Sequence, residues 1–183
     1  MTISLKQAID SCKLCEKTTP CLSMDRKVIS RSLMFTDRPL VMIIGEAPGY
    51  NEYLEGKPFV GASGKLLQEF LDEYFVSNSV SYYITNTIKC RPEGNKDPST
   101  VQKANCLQYL QAQVNYLKPV AIIALGSHAQ KQIHGNLDIN FNSKVFNFYH
   151  PAYLLYNGKN ETLLNRYHET FQEVIDYVKG SIN

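Results

Sequence analysis

Four short runs of mostly apolar residues, each followed by a glycine or a polar residue, are the clearest pattern in the chain. They predict β-strands at residues 40–44, 82–86, 120–125 and 145–149. The first and third runs are almost continuously apolar rather than alternating, which is typical of strands that are buried on both faces. A sheet covered on both sides is therefore expected.

Apolar residues at three- and four-residue spacing predict helices between these strands. The helices are expected at residues 3–11, from 63 to about 74, and at 100–117, 127–133 and 161–178. Residues 16–39, 45–61 and 91–98 are expected to be irregular, because they are polar or rich in glycine and proline. Strands that alternate with helices predict the α/β class. The expected fold is a three-layer α/β/α sandwich around a central four-stranded, mainly parallel sheet.

Composition adds only broad limits. The chain has 183 residues, of which 44% are hydrophobic and 20% charged, as in ordinary globular proteins. We expect no membrane segment, because no run approaches 18 uninterrupted apolar residues. The N-terminus lacks the apolar region of a signal peptide, so a cytoplasmic location is expected. The formal net charge of +2 permits nucleic-acid binding without arguing for it.

Five cysteines suggest a metal centre. Cys12 and Cys15 form a Cys-x2-Cys pair, and Cys90 and Cys106 follow far along the chain. In a reducing compartment such pairs are more often metal ligands than disulfides, and the odd Cys21 disfavours a complete disulfide set. Four thiolates suit zinc or an iron–sulfur cluster, and the wide second spacing fits a cubane cluster somewhat better. Alternatively, Cys90 and Cys106 are small buried apolar residues.

The ends of the predicted strands carry side chains that could do chemistry. Gly45 and Glu46, Asn86, and His150 follow or end three of the four strands. In open parallel sheets, binding sites form beyond the carboxyl ends of the strands, so these residues are expected to converge. Each also has an ordinary structural explanation, such as a solvated carboxylate, a turn-forming asparagine or a structural histidine.

Phe59 lies in a segment of unusually small residues between Gly56 and Gly64. Glycines allow a ligand to approach the backbone, and the ring offers a flat face to a planar ligand. A core phenylalanine in a structural loop is the alternative. The remaining histidines, His128 and two further along the chain, have neither metal-ligand spacing nor a neighbouring cysteine.

Five stretches together resemble the family 4 uracil-DNA glycosylases, the iron–sulfur branch of their superfamily. They are GEAPG (45–49), GKPFVGASGKLL (56–67), YITNTIKCRP (83–92), AIIALG (121–126) and HPAYLL (150–155). The resemblance covers about residues 12–155, in the order of the family. It implies one glycosylase domain over residues 1–183 that acts as a monomer on DNA. Such an enzyme flips uracil out of the strand and hydrolyses its N-glycosidic bond, leaving an abasic site.

The resemblance also implies a cofactor and a role for each site residue. A [4Fe–4S] cluster would be ligated by Cys12, Cys15, Cys90 and Cys106, and would tie down the N-terminal segment, whereas Cys21 has no counterpart. The implied base-binding residues are Gly45, Ala47, Phe59, Asn86 and His150. Phe59 would stack on the extruded base. Asn86 would read the Watson–Crick edge of uracil, accepting from N3–H and donating to O4. The implied catalytic residues are Glu46, which helps to position water, and His150, which donates to uracil O2.

Two alternatives stay open. The best-known branch of the superfamily has a tyrosine at the position of Gly49, so the substrate could extend to 5-substituted or otherwise modified pyrimidines. The chain could also be a non-catalytic DNA-binding protein on the same scaffold. Candidate phosphate contacts are Lys89, Arg91, Lys159 and Arg166. Candidates to fill the gap left by the flipped base are Tyr153, Leu154, Leu155 and Tyr156.

Overall fold

The computed structural model describes residues 4–17, 25–139, 143–158 and 160–181, so Cys21 and Lys159 lie outside the described residues. In chain order the elements are α1 (Leu5–Asp10), β1 (Arg31–Leu33), β2 (Leu40–Gly45), α2 (Tyr50–Glu55), α3 (Ala62–Leu71), β3 (Ser81–Asn86), α4 (Thr100–Leu117), β4 (Ala121–Leu125), α5 (Gly126–Asn136), β5 (Lys144–Phe148), α6 (Pro151–Tyr156) and α7 (Glu161–Gly180). A π-helical turn over Asp72–Val76 continues α3, and a 3-10 turn covers Glu93–Asn95.

The strands form one five-stranded sheet in the order β1-β3-β2-β4-β5. β2 pairs in parallel with β3 and β4, and β4 pairs in parallel with β5. The predicted α/β class and all four predicted strands are confirmed. The fifth strand, β1, pairs antiparallel with β3 at the edge of the sheet. It lies in the segment 16–39, which was expected to be irregular. β1 has only three residues, too few for a pattern of apolar positions that would predict a strand.

Helices cover both faces of the sheet. On one face Val41 and Ile43 pack in a core that α3 and α7 complete. On the other face Met42 and Ile44 pack with residues of α4 and α5. Successive residues of β2 thus enter opposite cores, which explains why its sequence is apolar throughout. The three predicted layers are confirmed.

Two short helices occur where no helix was predicted. α2 lies inside the loop predicted over residues 45–61, and α6 begins directly after His150. α6 has Pro151 at its first position, and the His150 side chain accepts a hydrogen bond from the Ala152 N–H. Both helices have six residues, too few for helical periodicity to show in the sequence. Among the described residues, none of the helices combines the length and apolar character that crossing a membrane requires.

Candidate active site

The carboxyl ends of the strands meet at one cavity, as predicted. Gly45 and Asn86 are partners in the register of β2 and β3, and β5 ends two residues before His150. The cavity has a volume of about 410 Å³. Its lining includes Glu46, Ala47, Phe59, Asn86 and His150. The structure therefore brings together residues that are widely separated in the sequence.

Gly45 allows two of these side chains to come close. A Cβ on Gly45 would lie 2.5 Å from Asn86 Oδ1 and 2.5 Å from Phe59 Cζ, which no real side chain tolerates. Gly64 has the same role towards the backbone, since a Cβ there would lie 2.0 Å from the Phe59 carbonyl oxygen. Phe59 itself has a φ of 56°, in the left-handed region that aromatic residues rarely adopt. Strain of this kind is typical of functional sites that the surrounding structure holds in place.

Glu52 holds the segment that carries Phe59. Its Oε1 accepts from the backbone N–H groups of Val60 and Gly61, at 2.9 and 3.0 Å. Its Oε2 accepts from the N–H of Gly49 at 3.2 Å. One carboxylate thus connects the loop after β2 to the loop before α3. Glu52 was not predicted as a site residue, although its position three residues after Gly49 is that of a helix-capping carboxylate.

His150 has a defined tautomer. Its Nδ1 accepts from the Ala152 N–H at 3.2 Å, so the proton of the neutral ring is on Nε2. Burial lowers the pKa of His150, and the Glu52 carboxylate opposes this shift. The ring stacks on Phe59, with centroids 5.8 Å apart and planes at 29°. At neutral pH the site therefore contains a neutral imidazole with one N–H to donate.

Lys89 binds the backbone of Asn86. Its Nζ donates to the Asn86 carbonyl oxygen at 2.5 Å and to Thr85 Oγ1 at 2.8 Å. The side chain is 1% exposed, and burial lowers the pKa of Lys89 to about 7. The prediction that Lys89 contacts a DNA phosphate is wrong, because this buried amine cannot reach a backbone outside the protein.

A second histidine lies at the site. His128 Nδ1 is 2.5 Å from Glu46 Oε1, and Asp97 Oδ1 is 3.9 Å from the same nitrogen. The ligand atoms of these three residues lie within 4.8 Å of one another, so the group could hold a metal ion. His128 was not predicted as a site residue, since no local motif connects it to Glu46, which lies 82 residues earlier in the chain.

The four paired cysteines share one region between α1, α4 and the segment after β3. Cys15, Cys90 and Cys106 are buried, Cys12 is half-buried, and all four are free thiols. Burial raises the pKa of Cys106 to about 11, with smaller contributions from the neighbouring Cys15 and Cys12. Tyr109, on the same helix as Cys106, has its pKa raised by burial and by a hydrogen bond with Cys12, and it also interacts with Cys106 and Cys90.

The segment after His150 presents aromatic side chains to the outside. Leu154 is fully buried and is therefore excluded as the residue that enters the gap left by a flipped base. Tyr153 is exposed and stacks on Tyr149, with centroids 5.2 Å apart. Tyr156 is the most exposed large hydrophobic residue of the segment, at 90%.

The remaining candidate phosphate contacts differ in their surroundings. The guanidinium of Arg91 lies over the exposed Tyr50 ring, 5.1 Å from its centroid. Arg166 lies on the exposed face of α7, 3.4 Å from Glu169. Arg91 directly precedes Pro92, which lines the cavity, whereas Arg166 belongs to a helix that does not line it.

Known proteins provide independent evidence. The family model of the uracil DNA glycosylase superfamily matches residues 34–178. The type-4 uracil-DNA glycosylase of Sulfurisphaera tokodaii is 36% identical over 78% of this chain and 77% of its own. Those of Archaeoglobus fulgidus and Thermotoga maritima are 35% and 37% identical, over 73% and 66% of this chain and 74% and 69% of their own. The chain belongs to the type-4 branch of the uracil DNA glycosylase superfamily.

Proposed function

We propose that the protein excises uracil from DNA by hydrolysing the N-glycosidic bond. The observation that carries this proposal is the single cavity into which Phe59, Asn86 and His150 converge, in a chain of this family. The relatives are named as uracil-DNA glycosylases, and the cavity contains the groups that such a reaction requires. A DNA substrate and thiolate ligands both favour action inside the cell.

Base selection would rest on Asn86 and Phe59. A base in a duplex is unreachable, so the nucleotide must flip into the pocket at a cost of a few kcal/mol. The Asn86 amide can accept from uracil N3–H and donate to O4, whereas cytosine presents the opposite polarity at both atoms. Gly45 allows the Phe59 ring to lie beside this amide, so that a planar base can stack while its edge is read.

Bond cleavage would rest on His150 and Glu46. The water oxygen bonds to C1′, the C1′–N1 bond breaks, and its electron pair leaves with uracil, which takes up the proton that the water loses. The His150 Nε2–H can donate to uracil O2 as negative charge develops there. One preorganised donor of this kind typically contributes about 10²–10³-fold in rate. Glu46 would hold the water on the sugar side.

We infer that the four cysteines hold a [4Fe–4S] cluster. Three buried thiols and one half-buried thiol in a common region are the donor set of such a cluster. A single tetrahedral zinc, with Zn–S bonds of about 2.3 Å, would draw its sulfurs to about 3.8 Å from one another. Among the described residues, no three cysteine sulfurs lie within 4.8 Å of one another, which favours a larger cubane. When bound, the cluster would cross-link the N-terminal segment to α4.

The alternative of a 5-substituted pyrimidine depended on open space beside Gly49. A Cβ on Gly49 would lie 2.8 Å from Glu52 Oε2, so the Glu52 carboxylate occupies this side of the glycine. A 5-substituent directed at this side of Gly49 would meet the Glu52 carboxylate. Oligonucleotides that contain uracil or 5-substituted pyrimidines test which bases the protein accepts.

The decisive experiment is incubation with oligonucleotides that contain uracil, cytosine or 5-substituted pyrimidines, single- and double-stranded, followed by alkaline cleavage. The wild-type protein should cleave at uracil in preference to the other bases. Asn86→Asp should weaken discrimination between uracil and cytosine, because it replaces the donor to O4 with an acceptor.

Asn115→Asp is the matched control. Asn115 is exposed on α4 and accepts a hydrogen bond from Gln111, which aspartate can also accept. This variant should retain the selectivity of the wild type. DNA binding without release of any base would refute the enzyme and favour a non-catalytic protein, and unchanged discrimination in Asn86→Asp would refute the pocket assignment.

A further inference from the structure

We propose that His128 is a positioning residue, which orients the Glu46 carboxylate towards the attacking water. This inference rests on the proposed function. Its basis is the 2.5 Å contact between His128 Nδ1 and Glu46 Oε1 at the edge of the cavity. His128 does not line the cavity itself, so it acts through Glu46 and not on the substrate.

The turn from β4 into α5 puts His128 in this place. β2 and β4 are neighbours in the sheet, so the residue after β2 and the first turn of α5 meet at the same edge. Gly126 starts α5 with a φ of 82°, and a Cβ there would lie 3.1 Å from His150 Cβ. The glycine therefore lets the start of α5 approach the cavity closely, and His128 follows two residues later.

Glu46 needs such a partner because its side chain is not enclosed. The Glu46 side chain is 28% exposed, so a hydrogen bond that fixes its rotamer restricts freedom that partial burial leaves to it. An ionised carboxylate only accepts hydrogen bonds, so the proton of the contact is assigned to His128 Nδ1. With Oε1 held by His128, the other carboxylate oxygen can accept a hydrogen bond from water.

The geometry favours a hydrogen-bonded pair over a metal site. Nitrogen and oxygen ligands at about 2.1 Å from one tetrahedral ion lie about 3.4 Å apart. The observed 2.5 Å between His128 and Glu46 is a hydrogen-bond distance. Asp97, at 3.9 Å and with a side chain that is 78% exposed, is an electrostatic neighbour of the imidazole and not a hydrogen-bond partner.

Two substitutions separate the hydrogen bond from the bulk of the ring. His128→Leu removes the donor, whereas His128→Asn places an amide N–H near the position of Nδ1. We expect His128→Leu to lower the single-turnover cleavage rate on uracil DNA by about 10- to 100-fold, the loss that misplacing a reacting group causes. His128→Asn should recover most of it. Binding of DNA with a non-cleavable 2′-fluorinated deoxyuridine should stay unchanged in both variants.

Three controls make the test specific. His134→Leu removes another histidine of α5, which bonds Asn147 on the surface, and should leave the rate unchanged. Combining His128→Leu with Glu46→Gln should slow the reaction little beyond Glu46→Gln alone, since both changes remove one function. A chelator that leaves the colour of the proposed iron–sulfur cluster unchanged should not affect the rate, because no metal bridges the pair in this proposal.

The proposal is refuted if His128→Leu cleaves as fast as the wild type, or if the losses of rate in the double variant are additive. It is also refuted if a chelator abolishes the activity and a divalent cation restores it. A signal from the imidazole proton of His128, seen by nuclear magnetic resonance and absent in Glu46→Leu, which has no acceptor, tests the pair without any activity. If the wild type releases no uracil, the proposed function is refuted. The resonance alone then decides whether the pair exists.

Discussion

At the scale of a single residue, His150 shows how position determines chemistry. The Ala152 N–H occupies its Nδ1, and burial favours the neutral ring by lowering the pKa of His150. A neutral imidazole with its proton on Nε2 suits an anionic leaving group, because it can stabilise charge while remaining a weak acid. The same burial makes the fold sensitive to acid, because the pKa of His150 is lower in the folded state than in the unfolded state.

We expect His150 to destabilise the protein at acidic pH. The pKa of His150 is about 6.5 when unfolded and lower when folded, so the unfolded state binds more protons as the pH falls through 6.5. The free energy of unfolding then falls by up to about 1.4 kcal/mol per pH unit until the folded pKa is reached. His150→Asn keeps an acceptor for the Ala152 N–H but does not titrate, so it should lose less stability. Urea denaturation between about pH 7 and pH 5 measures the difference.

The control for this prediction is His134→Asn. His134 is exposed on α5, so this variant measures what the loss of a surface histidine does, and the pH dependence of His150→Asn should differ from it. Parallel curves for the wild type and His150→Asn would contradict a lowered pKa at position 150.

At the scale of elements, the loop between β2 and α3 is held by one side chain. Both oxygens of Glu52 accept from backbone N–H groups, and these bonds hold the segment in which Phe59 adopts a positive φ. A loop without this carboxylate would relax Phe59 towards ordinary backbone angles and move its ring away from Gly45. If Phe59 stacks on the base as proposed, this stacking depends on a residue that need not touch the base.

We expect Glu52→Gln to destabilise the protein by about 1–3 kcal/mol, because the amide nitrogen would have to face a backbone N–H. It should also raise the KM for uracil DNA, while the overall fold stays as in the wild type. Glu55→Gln, at an exposed position of the same helix, is the matched control. Thermal unfolding and steady-state kinetics measure the two effects, and identical values for both variants would contradict the role of Glu52.

The same elements show what a sequence can and cannot predict. β4 was predictable because all of its residues are buried, which leaves a continuous apolar run. β1 was not, because three residues paired with the edge of β3 acquire their structure from that partner. His128 was missed for a related reason. Its contact with Glu46 follows from the adjacency of β2 and β4, and the order of strands in a sheet leaves no local mark in the sequence.

At the scale of the whole molecule, the cysteines connect distant parts of the chain. Asn105 of α4 donates to the Leu14 carbonyl oxygen at 3.1 Å and contacts Cys15 Sγ at 3.4 Å. Val28 donates to the Lys89 carbonyl oxygen at 2.8 Å, next to Cys90. The N-terminal segment therefore lies against α4, and the segment that precedes β1 lies against the loop after β3. A cluster on the four thiolates would add covalent ties to these contacts.

The proposed cluster should make the purified protein brown, and we expect Cys106→Ser to abolish this colour and to release the N-terminal segment. Loss of the cluster should lower the Tm and open residues 4–17 to limited proteolysis, while the sheet and its two cores remain folded. Cys21→Ser is the matched control, because that cysteine has no predicted ligand role, and it should stay coloured and resistant. Iron and sulfide analysis, absorbance and protease digestion measure the outcome. A colourless wild-type protein with one zinc would refute the cluster. A coloured protein whose N-terminal segment is cleaved as fast as in Cys106→Ser would refute its role as a cross-link.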